Sequence, residues 1–131
     1  MAHSIKIKVY YEDTDAGGVV YYANYLGFME RARTEFLAEY GIDVAELHNQ
    51  GLFFVVVHVD ITYKKPVRLG EIVDVTTEVT ELKRASMTIR NCICKDDFVR
   101  VEAILTFACI DREGKPRRLP DAFHAINPPE A

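Results

Sequence analysis

One stretch of this chain carries a long helical period. Tyr25, Met29, Ala32, Phe36 and Tyr40 recur at spacings of four, three, four and four, the repeat of one face of an α-helix. Leu26 and Leu37 widen the stripe, and Glu30, Arg31, Arg33, Glu35 and Glu39 fill much of the remainder. Gly41 is the natural stop, because it takes a left-handed backbone without a Cβ penalty. Asn24 is the candidate N-cap. The expected helix therefore spans Asn24–Tyr40, with a second short one over Val44–Gln50, ended by Gly51. A single apolar stripe must be buried, and the rest of the chain offers mainly strands to bury it.

Ile5, Ile7, Val9 and Tyr11 alternate with Lys6, Lys8 and Tyr10, which predicts a first strand over Ile5–Tyr11. Leu52–Tyr63 is rich in Phe, Val, Ile and Thr, and Pro66 takes the chain out of the ladder. Gly70 opens Glu71–Leu82, where Val73, Val75, Thr77 and Val79 share one face. Ser86–Lys95 and Phe98–Ile110 follow, separated by Asp96-Asp97, with Lys83-Arg84-Ala85 and Asp111–Lys115 as turns. The tail Pro116–Ala131 is proline-punctuated, with one helical turn expected at Pro120–Ala125. Short connections favour antiparallel pairing. The expected architecture is α+β: one domain, residues 1–131, with a curved antiparallel sheet wrapped around one long central helix. An open sheet leaves edges that a second copy of the chain would pair.

Composition narrows the function. Hydrophobic residues make up 49% of the 131, enough for a core, and 16 basic against 20 acidic residues give a net charge of −4. That balance argues against nucleic acid or an anionic membrane as a partner. Cys92, Cys94 and Cys109 have no second Cys/His pair at zinc spacing and read as reduced, partly buried thiols. Met1–Val9 contains no apolar signal core, and no run is long enough to cross a bilayer. These features predict a cytoplasmic protein.

Polar chemistry is concentrated in Tyr10–Tyr25, YYEDTDAGGVVYYANY. Three carboxylates (Glu12, Asp13, Asp15) and the pair Gly17-Gly18 lead directly into the helix start. This puts a carboxylate beside backbone N–H groups that have no partner within the helix. The plain alternative for Asp15 is a loop aspartate in an Asx-turn or a helix cap. Glu12 and Asp13 read as structural, bonding loop amides. No histidine sits at ligand spacing from them, so no metal and no cofactor is expected. His58 reads as a core or interface residue within a strand, and Glu30 and Glu35 as a solvated helix face. Lys64, Lys65, Arg68, Arg84, Arg90, Arg117 and Arg118 are the basic side chains available for an anionic ligand.

The element order, together with EDTDAGGVVYYANYLGFMERARTEFL, resembles the hotdog-fold acyl-CoA thioesterases. It is most similar to the branch of the Tol–Pal-associated (YbgC) and 4-hydroxybenzoyl-CoA thioesterases. The signature Asp-x-Asp-x-x-Gly-x-Val-(Tyr/Phe)-x-x-x-Tyr is matched by Asp13, Asp15, Gly18, Val20, Tyr21 and Tyr25, and YKKPVRLG at Tyr63–Gly70 adds to it. The resemblance covers nearly the whole chain. It implies hydrolysis of acyl-CoA to free CoA and a carboxylic acid, with Asp15 as the catalytic carboxylate and the backbone N–H of Tyr22 as the carbonyl-polarising donor. Many members of the Tol–Pal branch carry histidine at this second position; tyrosine is similar to the hydroxybenzoyl-CoA type. The resemblance also implies a homo-oligomer, dimer or tetramer, with the site shared across an interface that His58 could border. Acyl carrier protein is a second possible thioester carrier. Glu30 is a lesser catalytic candidate, because other hotdog branches use a glutamate on the central helix.

Thioester hydrolysis needs an oxygen nucleophile and a stabiliser for the oxyanion. Asp15 can activate water as a general base or attack the carbonyl itself. The positive helix end favours an ionised carboxylate, better suited to attack than to proton abstraction. Gly17 and Gly18 let the substrate approach, while Lys64, Lys65 and Arg84 are expected to meet its phosphates. The competing readings are a hotdog dehydratase, for which the motif offers no histidine, and a non-catalytic acyl-thioester binder or scaffold.

Overall fold

The computed structural model describes residues 3–126. Positions 1 and 2 of the amino-terminal stretch, and residues 127–131 of the proline-punctuated tail, lie outside the described residues. The chain runs β1 (His3–Lys8), α1 (Asn24–Ala38), α2 (Val44–Asn49), β2 (Phe53–Tyr63), β3 (Ile72–Leu82), β4 (Ser86–Lys95) and β5 (Phe98–Ile110). The strands form one sheet in the order β1-β3-β4-β5-β2, every neighbouring pair antiparallel. The predicted α+β architecture is the one observed.

α1 lies on one face of this sheet, against β1, β3 and β4. It buries Tyr25, Phe28, Met29, Ala32, Phe36 and Leu37. Alternate residues of the strands are buried in the same core, among them Val73, Val75, Ile89, Ile93, Val101 and Leu105. Within the core, Asn91 donates to the Thr77 hydroxyl and the Thr76 carbonyl, each at 2.9 Å. The β4–β5 turn is the expected Asp96-Asp97 pair, with φ of 52° and 67°, a left-handed conformation that aspartate tolerates better than most side chains. No helix among the described residues is long and apolar enough to cross a membrane.

Most element ends fall within a residue or two of expectation, and three differences have a local cause. β1 stops at Lys8, because Tyr11–Asp13 turn in a short 3-10 helix that the Asp13 carboxylate locks by accepting from Tyr10 N–H at 2.8 Å. α1 ends at Ala38, not Tyr40. Gly41, at φ 73°, lets the Ile42 amide close onto the Leu37 carbonyl at 3.1 Å, and Tyr40 stacks edge-on to Phe36 from beyond the helix. Asn24 is not the N-cap. Ala23 holds that position with helical dihedrals (φ −73°, ψ −22°), so the extended geometry a side-chain cap requires is missing. Asn24 instead donates its side-chain amide to the Asp13 carbonyl at 3.0 Å.

The edges of the sheet are unlike each other. β1 is short and carries Lys6, paired with Asp74 at 2.8 Å. β2 is eleven residues long and exposes Val55, Val56 and Val57 by 37%, 47% and 59%. Met29, at 0% exposure, sits at the centre of the helix–sheet contact. Met29→Ala is expected to lower stability by about 3 kcal/mol, the usual cost of a large-to-small change in a packed core. A lower urea midpoint with an unchanged denaturant slope, followed by circular dichroism, checks this.

Candidate active site

Residues 13–21 fold as a small hairpin. The Tyr21 amide donates to the Asp13 carbonyl at 2.9 Å, the Asp15 amide to the Val19 carbonyl at 2.9 Å, and Thr14 bridges Val20. The tip is a turn closed by Gly18 N–H onto the Asp15 carbonyl at 3.1 Å, with Gly18 at φ +77°. That left-handed value is why glycine stands there. The Asp15 carboxylate is exposed at this tip, and one of its oxygens accepts from Gly17 N–H at 2.8 Å. The Asx-turn and the candidate catalytic group are thus the same residue. Its second oxygen has no protein partner among the described residues.

The hairpin leads straight into α1. Asn24 N–H bonds the Tyr21 carbonyl at 2.8 Å, which curls residues 21–24 into a turn before the helix begins. Among the described residues, the N–H groups of Tyr22 and Ala23 have no acceptor. These two free amides lie at the positive end of a fifteen-residue helix, where negative charge is favoured. Tyr22 is 61% exposed, its ring against Tyr21, and its carbonyl accepts from the Tyr63 hydroxyl at 3.4 Å.

The segment from Pro66 to Glu71 supports this assembly. Val20 N–H donates to the Val67 carbonyl at 2.8 Å, and Leu69 N–H to the Gly18 carbonyl at 3.0 Å. The buried Tyr25 hydroxyl accepts from Val67 N–H at 3.1 Å. Burial raises the Tyr25 hydroxyl above its ordinary value, against the opposing pull of the Val67 amide, and Asp15 lies close enough to add to that rise. Glu71 shows the reverse outcome. Burial pushes its carboxyl up, but the Arg68 amide and the Arg100 guanidinium outweigh that and hold it below the usual range.

The other expected site residues are dispersed. Lys64 and Lys65 are exposed at the carboxyl end of β2, the same end as Tyr63, with both amides on the Arg100 carbonyl at 2.8 and 3.0 Å. His58 is exposed in β2 beside a register shift and pairs with Thr106, placing it on the face away from α1. Arg84 stands at the opposite end of the sheet, its carbonyl bonded by Leu119 N–H at 2.8 Å. One chain alone therefore does not bring Arg84 to Asp15. Glu30 is exposed on α1. Asp13 is structural, as read. Sequence reasoning assigned no role to Tyr63, Glu71 or Arg100. Tyr63 sits inside a quoted motif. Arg100 gave no signal, because strand alternation alone places it outward.

A family model described as the thioesterase superfamily matches residues 17–101. The chain is 40% identical over 130 residues to the acyl-CoA thioesterase YbgC of Haemophilus influenzae, covering 94% of this chain and 95% of that one. It is 38% identical over 121 residues to the acyl-CoA thioester hydrolase YbgC of Escherichia coli, covering 91% and 90%. Among solved structures, a probable thioesterase from Bartonella henselae superposes with a TM-score of 0.87 at 38% identity, covering 92% of this chain and 100% of that chain.

A Cβ at Gly17 would stand 3.3 Å from the Asp15 carboxylate oxygen. Gly17→Ala is expected to displace that carboxylate and lower turnover several-fold, while the melting temperature stays within about 2 °C of the parent. Steady-state kinetics and thermal unfolding of the same sample test the pairing.

Proposed function

The chain belongs to the thioesterase superfamily and has the hotdog fold, and from that premise we propose that it hydrolyses acyl-CoA thioesters with Asp15 as nucleophile and the Tyr22 amide as oxyanion donor. The observation that carries this reading is the hairpin joined directly to α1. Among the described residues, that hairpin carries an Asp15 oxygen free of protein partners and runs directly into a helix start whose Tyr22 and Ala23 amides are also free.

The thioester carbonyl oxygen accepts from Tyr22 N–H, and Asp15 attacks the carbonyl carbon. The tetrahedral oxyanion collapses, the C–S bond breaks, and CoA leaves as the thiolate, which takes a proton from solvent. The product is a mixed anhydride on Asp15; water hydrolyses it to the free acid and restores the carboxylate. A preorganised amide donor of this kind is worth about 3 kcal/mol of transition-state stabilisation. The Tyr22 side chain takes no proton in this scheme, so tyrosine serves where relatives of the Tol–Pal branch carry histidine.

An exposed Asp15 needs a wall that one chain does not supply, and the β2 edge supports a homodimer that provides it. Three consecutive exposed valines on an unpaired eleven-residue edge are a surface for a second strand. Antiparallel pairing of β2 with its own copy about Val57 and His58 sets the Tyr63 end of one chain beside the Phe53 end of the other. That brings the partner subunit's Arg84 end towards Asp15. In the same region Arg112, Arg117 and Arg118 line a cleft of 590 Å³. Lys64 and Lys65 from one chain and Arg84 from the other then frame the CoA phosphates. Two such dimers would give the tetramer. The chemistry is that of cytoplasmic CoA pools, and acyl carrier protein offers the same pantetheine thioester.

Asp15→Asn is expected to fold normally and to lose hydrolysis by about a hundred-fold or more. The assay is CoA thiol release from a panel of aromatic and aliphatic acyl-CoAs, which also reads the acyl preference; full activity in the variant removes Asp15 from the mechanism. A single turnover in ¹⁸O-water distinguishes the routes: attack by Asp15, with water opening the anhydride at the Asp15 carbonyl carbon, leaves the label on Asp15, and label found only in the product counts against that route. Val57→Lys is expected to shift the sedimentation profile toward monomer and to lower activity in step.

A further inference from the structure

We propose that Arg100 and Glu71 act as a positioning pair for the catalytic hairpin, holding the Pro66–Arg68 segment in the one arrangement that sets Asp15 against the helix start. The inference rests on the reading of Asp15 as the catalytic group and adds two residues that touch neither substrate nor the reacting atoms.

The geometry forms a chain of contacts. One Arg100 terminal nitrogen donates to the Pro66 carbonyl at 2.9 Å and to a Glu71 oxygen at 3.4 Å; the other donates to the second Glu71 oxygen at 3.2 Å. Glu71 in turn accepts from Arg68 N–H at 2.8 Å. Residues 66 and 68 are therefore each fastened to the ion pair, and Val67 lies between them. Val67 faces the site with both backbone groups, its carbonyl on Val20 N–H and its N–H on the Tyr25 hydroxyl. The pair is thus two bonds from the hairpin and two from the first buried residue of α1, the elements that carry Asp15 and the free amides.

The side chains are only 12% and 23% exposed. Burying an ion pair contributes little net stability compared with an apolar substitute, because desolvation offsets attraction. What it supplies is direction. A planar guanidinium can bridge a carboxylate and a carbonyl at fixed angles, and an ammonium cannot. The register shift of β4 between Ile93 and Cys94 lies opposite Arg100, where β5 departs from simple alternation.

Arg100→Lys and Glu71→Gln, singly and together, test the proposal on the full chain with one acyl-CoA that the parent hydrolyses. Each single variant is expected to keep its melting temperature and KM near the parent while kcat falls by about ten- to a hundred-fold, the usual cost of misplacing a catalytic group. The double variant should be no slower than the slower single one, because both break the same bridge. Amide hydrogen exchange at Val20 and Val67 should quicken in each. Unchanged kcat in both single variants overturns the proposal. So does a loss of activity that merely tracks loss of folded protein, or a double effect equal to the product of the singles. Should Arg100→Lys not fold, the isosteric Glu71→Gln with its exchange readout decides alone. Activity of Asp15→Asn, measured alongside, separates failure of the catalytic reading from failure of the pair: if Asp15 is dispensable, exchange at Val20 and Val67 still reports whether the segment is held.

Discussion

The apolar stripe of α1 has to lie against β1, β3 and β4, and that contact places everything else. Met29 and Ala32 reach zero exposure at its centre, with Phe28 and Leu37 beside them. With the middle of the helix fixed, its first turn must emerge where the 13–21 hairpin and the 66–71 segment meet. Tyr25 makes the link: its ring is core and its hydroxyl holds the Val67 amide. Packing energy from the centre of the molecule is thereby converted into the position of two backbone amides at its edge.

The site is built from backbone more than from side chains. The hairpin, the turn at Gly18 and the curled residues 21–24 are all held by main-chain hydrogen bonds. This suits a reaction whose hardest demand is a rigid donor for an oxyanion, since a backbone amide in a closed ladder needs no reorganisation when charge develops. Asp15 is the exception, an exposed side chain steadied by one bond to Gly17. On the Tyr63 side lies the β2 edge, where Val55, Val56, Val57 and Tyr63 are exposed.

Most of the fold was legible. β4 and β5 fall on the expected residues because alternation, a two-aspartate turn and β-branched residues all agreed there. The errors cluster where one local signal competed with another. Tyr11 continued the alternation of β1, but Asp13 captured the Tyr10 amide and turned the chain first. Asn24 looked like a cap, yet the chain was already curled at Ala23, and its side chain went to Asp13 instead. In the site, the motif marked Asp15, Gly17, Gly18 and the helix start, while Arg100 and Glu71 stayed silent. They are 29 residues apart in sequence and meet only because β3 and β5 flank β4 in the same sheet.

The sequence by itself determined the elements, their order and the family, because hydrophobic period, turn chemistry and a dense motif are local properties that need no coordinates. Its motif also singled out Asp15 as the candidate carboxylate. Only the tertiary structure decided which amides at the helix start stay free, and that Lys64 and Arg84 lie at opposite ends of the sheet. It alone decided that β2 is left as an apolar edge. Each of these depends on strand order and on hydrogen bonds between distant residues, and neither is written in any single stretch of the chain.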